Sequence, residues 1–167
     1  MKLALRLATA ILICLVLAPA AWAQDVVFVV RHAERADAGM QNSMGSDPPL
    51  SAAGEARAKA LATMLREADI KRVFATEFKR TQQTADPTAK MAHVEVTTVP
   101  SKEVATLLEK LKSPDGAALV VGHSNTVPDV LEALGVKQKI KIPDNEYDNL
   151  FIVVRSGTEA TLVKLRF

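Results

Sequence analysis

Two unbroken apolar runs, Val26-Val27-Phe28-Val29-Val30 and Ala117-Ala118-Leu119-Val120-Val121, constrain this chain more than any other feature, because each ends at a histidine. Arg31-His32 follows the first and Gly122-His123 the second. Short apolar runs bounded by turn residues are the pattern of strands buried on both faces, which belong to parallel sheets covered by helices. Open α/β sheets bind ligands beyond the carboxyl ends of their strands. Two strands therefore deliver one imidazole each to the same sheet edge. A third run, Arg72-Val73-Phe74-Ala75-Thr76, is followed within one helical turn by Lys79-Arg80, so a guanidinium can reach the same crevice. Two imidazoles with Arg31, Arg35 and Arg80 make a cationic pocket suited to a small dianion such as a phosphoryl group.

Between these strands the pattern alternates. Residues 36–50 hold Gly39, Gly45, Pro48 and Pro49 among Asp, Asn and Ser, a loop by composition. Ser51 reads as a helix N-cap, with Ala58, Leu61, Ala62 and Leu65 on one face and an end near Ala68. Lys71–Thr76 is the second strand, and residues 77–91 a helix that Pro87 either kinks or divides. His93–Thr97 is a short strand, and Ser101 caps a helix through Lys112. Ser113-Pro114-Asp115-Gly116 turns the chain into the strand that ends at His123, and a helix over 125–134 stops at Gly135. Tyr147–Arg155 and Glu159–Phe167 are strands joined by the hairpin signal Ser156-Gly157-Thr158. Alternating strand and helix with a terminal hairpin implies an α/β fold whose mixed sheet is covered on both faces.

The first 23 residues stand apart. Met1-Lys2 and Arg6 precede an apolar stretch from Leu7 to Leu17, and Ala21-Trp22-Ala23 has the A-x-A form of a signal-peptidase site. The expectation is a cleaved signal over 1–23, export to the periplasm or medium, and one domain over 24–167. The stretch is short for a bilayer span, so no stable membrane insertion is expected after cleavage. Cleavage removes Lys2 and Arg6 and no acid, so Lys and Arg fall from 21 to 19 against 19 Asp and Glu, and the basic excess disappears. That balance, with few aromatic residues, argues against nucleic-acid binding. The single cysteine, Cys14, leaves with the signal, which excludes a disulfide, a thiol nucleophile and a cysteine metal ligand. A neutral domain with no coiled-coil stripe reads as a monomer.

Phosphoryl transfer through histidine needs a neutral ring nitrogen aimed at phosphorus, a second group near the equatorial oxygens and fixed positive charge. His32, His123 and the arginines supply these. Here the chain resembles the histidine phosphatase superfamily, the group that includes phosphoglycerate mutases, acid phosphatases and phytases. The R-H-G signature is met by Arg31-His32-Ala33, and its longer R-H-G-x-R form by Arg35. Leu50-Ser51-x-x-Gly54 is similar to the family's L-T/S-x-x-G helix start. Thr76-Glu77-Phe78-Lys79-Arg80-Thr81-Gln82-Gln83-Thr84-Ala85 resembles its S-x-x-x-R-x-x-Q-T-A segment, and Val120-Val121-Gly122-His123 its second histidine strand.

The resemblance implies a three-layer α/β/α sandwich with a mixed, mostly parallel sheet. It implies His32 as the nucleophile of a phosphohistidine intermediate, with Arg31, Arg35, Arg80 and His123 binding the phosphoryl group of a small phosphorylated substrate. It also implies no metal or other cofactor. Two positions depart from the pattern. Ala33 replaces the family glycine, a change tolerated wherever φ is negative. The acid that protonates the leaving oxygen has no usual context: Glu103 is the first candidate, with Glu34, Asp144 and Glu146 behind it, and Ser124 stands where phytase-like members carry the donor.

Each residue also has a plainer reading. His123 alone reads as a satisfied core histidine, Arg35 as a loop charge, His93 as a surface residue, and Arg57, Lys59, Arg66, Lys71 and Arg72 as exposed charges. Gly122-His123-Ser124-Asn125-Thr126 approaches a G-x-S-x-G nucleophile elbow but lacks the last glycine, and no histidine follows Ser124. A mutase is disfavoured by the short chain. The alternative that remains is a noncatalytic phosphate- or anion-binding protein keeping the same pocket.

Overall fold

A computed structural model of the chain describes residues 25–37, 47–113, 116–157 and 159–167. The expected signal over 1–23, most of the loop over 36–50 and the Pro114-Asp115 turn lie outside the described residues. The elements run β1 (Asp25–Arg31), α1 (Ala52–Met64), β2 (Ile70–Ala75), α2 (Lys79–Ala92), β3 (Val96–Thr98), α3 (Val104–Lys110), β4 (Ala117–Gly122), α4 (Thr126–Ala133), β5 (Asn149–Ser156) and β6 (Glu159–Arg166).

The strands form one sheet in the order β3-β2-β4-β1-β5-β6. β1, β2, β3 and β4 are mutually parallel, while β5 runs antiparallel to β1 and β6 antiparallel to β5. The apolar runs are unbroken because both faces of β1 and β4 are covered. Val27 and Val29 point into one cluster with Phe74, Leu107, Leu111, Val127, Leu131 and Phe151, under α3 and α4. Phe28 and Val30 point the other way, to Leu61, Leu65, Ala85 and Ala89 of the α1/α2 side. The result is an α/β/α sandwich. Fully burying a side chain such as Phe151 or Leu119 contributes about 1.5–3 kcal/mol, so these central layers hold the sheet edge rigid.

Several element ends differ from the sequence expectation. Ser51 caps α1 as expected, accepting from the Gly54 amide at 3.1 Å, but the helix stops at Met64, and Asp69 turns the chain with φ 49°. Residues 79–92 form one helix through Pro87. The proline removes one backbone donor, yet Ala85, Thr88 and Ala89 around it stay buried, and their packing carries the helix on. α3 begins at Val104, not behind Ser101, because the amide and hydroxyl of Ser101 both donate to the Glu77 carboxylate, at 2.8 and 3.0 Å. β3 starts three residues later than expected, since His93 closes α2 in the left-handed region with φ 56°.

His93, Lys59, Arg66 and Lys71 are exposed, as expected. Arg72 is not: it is largely buried, pairs with Asp25 at 3.5 Å and donates to the carbonyls of Lys110 and Gly116. A strand-end arginine covers free carbonyls there, which an exposed reading misses. No helix among the described residues is long and apolar enough to cross a membrane.

Candidate active site

Register decides what meets at the sheet edge. Arg31 pairs with Gly122 across β1 and β4, and Ala75 with Val121 across β2 and β4, so the residues that follow these strands emerge side by side. The His32 amide continues the ladder by donating to the Gly122 carbonyl at 2.9 Å. The rings of His32 and His123 come to lie 5.3 Å apart between centroids. β5 starts at the same edge, because Leu150 pairs with Val30 antiparallel. The segment before β5 therefore forms the opposite wall.

His32 is buried, and its Nδ1 lies 2.7 Å from the Ala33 carbonyl oxygen. A carbonyl only accepts, so Nδ1 carries the proton and Nε2 keeps a lone pair. Burial pushes the His32 pKa down to about 3 against the opposing Ala33 hydrogen bond, with His123, Arg31 and Arg80 lowering it further. His123 is pushed down to about 4, chiefly by burial and then by Arg80. Both rings are neutral at ordinary pH. His123 sets Nε2 2.9 Å from Thr76 Oγ1 and Nδ1 3.4 Å from Arg80 Nη2.

The arginines are held by different means. Arg31 donates from Nη1 to the carbonyls of Pro143, Asp144 and Glu146, each at 3.0 Å, and its guanidinium lies 4.2 Å from the Tyr147 ring centre. Arg80 stacks 4.4 Å over Phe78 and lies 3.7 Å from Asp47, whose carboxylate also receives the Lys79 amide at the start of α2. Arg35 pairs with Asp37 at 3.0 Å. Burial lowers the pKa of Arg31 and Arg80, most of it through lost hydration, but guanidinium remains charged. Arg31, His32, Arg35, Arg80 and His123 thus line one cleft of about 470 Å³ whose remaining wall is Ser124, Asn125, Asp144 and Tyr147. Such a cleft can take a phosphoryl dianion against three cations with an unprotonated ring nitrogen beside it.

The candidate acids do not all reach it. Glu103, the first choice from sequence, is exposed at the start of α3, accepts from Thr106 Oγ1 at 3.1 Å and does not line the cleft. Its distance along the chain from Arg80 is plausible, but it stands as the residue before α3 with its side chain on Thr106. Glu34 is turned away into a bidentate pair with Arg57, at 2.7 to 2.9 Å. Burial alone would raise Glu34, and the Arg57 hydrogen bonds outweigh it and hold the carboxyl below its ordinary range. This also corrects Arg57, which is half-buried and not a free surface charge. Glu146 accepts from Asn149 and Arg166, chiefly the former lowering its pKa. Asp144 is the one carboxyl of the four on the cleft wall.

Sequence reading missed Tyr147 and Thr76. The signal for Tyr147, the only tyrosine of the chain, was its place just before an antiparallel strand that starts at the histidine edge. Among the described residues no three His, Cys, Asp or Glu side chains gather as a metal site.

Residues 27–103 match the family model of the histidine phosphatase superfamily, branch 1. Over that span, a little under half of its length, the chain is similar to this superfamily. The matched span takes in Arg31, His32, Arg35 and Arg80, and His123 stands on β4 beyond it. No curated protein sequence matches the chain significantly. Solved structures of the same fold include a candidate alpha-ribazole-5'-P phosphatase from Escherichia coli, with 16% identity over 85% of this chain and 96% of that one and a TM-score of 0.69. The protein histidine phosphatase SixA complexed with tungstate is 19% identical over 84% and 96%, with a TM-score of 0.66. A phosphoglycerate mutase from Bacillus anthracis is 13% identical over 85% and 92%, with a TM-score of 0.67. At these identities the likeness is one of fold, the α/β/α sandwich described above.

Proposed function

We propose that this protein is a metal-independent phosphatase that hydrolyses a phosphomonoester or related phosphorylated small molecule through a phosphohistidine on His32. The observation that carries the reading is the 2.7 Å bond from His32 Nδ1 to the Ala33 carbonyl, which leaves the neutral ring an unprotonated Nε2 within a cleft lined by three arginines. In this reading Nε2 attacks phosphorus, an N–P bond forms and the P–O ester bond breaks. The leaving oxygen takes its proton from Asp144. Water then attacks phosphorus, giving its proton to the Asp144 carboxylate, the N–P bond breaks and inorganic phosphate leaves. Arg31, Arg35, Arg80 and His123 hold the equatorial oxygens through both steps.

Export through a cleaved signal over 1–23 belongs to the same proposal, and full-length chain in the cytoplasmic fraction would remove it. The chemistry is tested with para-nitrophenyl phosphate and EDTA. Turnover that is blocked by vanadate and lost in His32→Ala is expected. A protein that binds inorganic phosphate without turnover from acidic to neutral pH would be an anion-binding protein instead.

A further inference from the structure

His123 is held by two threonines that stand behind it, away from the reacting atoms. Thr76, just past the end of β2, sets Oγ1 2.9 Å from His123 Nε2 and 2.8 Å from Thr81 Oγ1. All three residues are buried. Thr81 Oγ1 lies 2.7 Å from the Phe78 carbonyl oxygen and 3.0 Å from that of Thr76. Carbonyls only accept, so the one hydroxyl proton of Thr81 goes to a carbonyl and Thr81 meets Thr76 as an acceptor. The Thr76 proton is thereby directed to Thr81, and Thr76 offers the ring only lone pairs. The ring must donate, so Nε2 carries its proton.

The other side of the ring gives the same assignment independently. His123 Nδ1 faces Arg80 Nη2 at 3.4 Å, and a guanidinium has no acceptor. A proton on Nδ1 would point at another donor. The backbone of His123 is fixed as well, its amide donating to Thr126 Oγ1 at 2.9 Å, and the Phe78 ring meets the imidazole edge-on at 5.2 Å.

We propose that Thr76 and Thr81 form a hydroxyl relay that holds His123 as its Nε2–H tautomer with Nδ1 toward the cleft, which makes Thr76 a positioning residue for the reaction on His32. The effect on turnover rests on the phosphatase reading, whereas the tautomer is a property of the resting protein. The relay matters because a histidine in the wrong tautomer loses its function even where its geometry is intact. With Nδ1 unprotonated, the ring can take at that atom the proton of a singly protonated phosphoryl group and share it back with the same oxygen as a hydrogen bond.

Nitrogen-15 NMR of histidine-labelled protein reads the tautomer directly. A single Nε2–H form of His123 is expected in the intact protein, and both tautomers in Thr76→Val. The same variant should lose kcat by at least about tenfold, a fraction of an ordinary general acid–base contribution, with KM little changed, and Thr76→Ser should restore both readouts. An Nδ1–H form in the intact protein overturns the proposal, as does a Thr76→Val protein that keeps either the single tautomer or the parent kcat. Should Thr76→Val fail to fold, Thr81→Ala frees the Thr76 proton to point at Nε2, and absence of any Nδ1–H population there is the overturning result. An intact protein with the Nε2–H form and no turnover overturns the phosphatase reading and leaves the relay standing.

Discussion

The imidazole of His32 and the carbonyl oxygen of Ala33, its immediate neighbour, are joined by a 2.7 Å hydrogen bond. The bond assigns the ring proton to Nδ1 without any help from a distant residue, and it leaves Nε2 as the one nitrogen able to attack. The tautomer of the His32 ring is thus set by its orientation toward the adjacent residue.

Both cleft histidines make stability depend on pH. Their folded pKa values, about 3 for His32 and about 4 for His123, lie below the ordinary 6.5. Above pH 6.5 the rings are neutral in both states and the full stability is present. As pH falls the unfolded chain takes protons first, so stability is lost from about 6.5 down toward 4 and 3, with a steepest slope of about 1.4 kcal/mol per pH unit for each ring. Urea midpoints measured between pH 7 and 4 should fall, and NMR titration should show both rings neutral at pH 5.5. A ring that titrates near 6.5 in the folded protein would contradict the burial argument.

Asp144 and Glu103 separate by leaving group. Asp144→Asn should lower kcat on an alkyl phosphate by about a hundredfold and on para-nitrophenyl phosphate far less, since nitrophenolate leaves without a donor. Glu103→Gln should change neither rate. Equal rates for Asp144→Asn and parent on the alkyl ester would remove Asp144 from the mechanism.

The Glu34–Arg57 pair is structural. Its side chains are 20% and 28% exposed, and Arg57 also donates to the Phe167 carbonyl oxygen at 3.0 Å. Glu34→Gln should cost about 1 kcal/mol of stability, discounted for solvent screening. Calorimetry should show a lower Tm while kcat stays at the parent value. A large loss of kcat at unchanged Tm would return Glu34 to the list of acids.

Gly54 is required by close approach. A Cβ there would stand 2.3 Å from the Glu34 carbonyl oxygen and 3.0 Å from its amide nitrogen, and that carbonyl also receives the Ser51 amide at 2.9 Å. Gly54→Ala must push α1 off the turn after His32, at a cost of about 1–3 kcal/mol. The urea midpoint should drop. A midpoint equal to the parent's would mean that the turn moves freely.

Much of the fold was legible locally. Val26–Val30 and Ala117–Val121 announced doubly covered strands, Ser51 its cap and Gly135 its stop. The five cleft residues Arg31, His32, Arg35, Arg80 and His123 were readable because each sits just after a strand, or at the start of the helix or loop behind it, and parallel strands bring those points to one edge. Glu103 was misjudged because chain distance from Arg80 does not show which way its side chain faces: it is exposed, accepts from Thr106 and does not line the cleft. Arg57 and Arg72 looked solvated because their partners, Glu34, Asp25 and two backbone carbonyls, are far away in sequence.

By itself the sequence determined the strand pattern and the strand-end cations, properties of neighbouring residues and of unbroken apolar runs buried on both faces. Tertiary structure alone decided which carboxyl faces the cleft, that Arg31 anchors the 143–146 segment beside Tyr147, and that Thr76 and Thr81 stand behind His123. Those choices depend on hydrogen bonds between residues that only the sheet register and the paths of the loops bring within 3 Å.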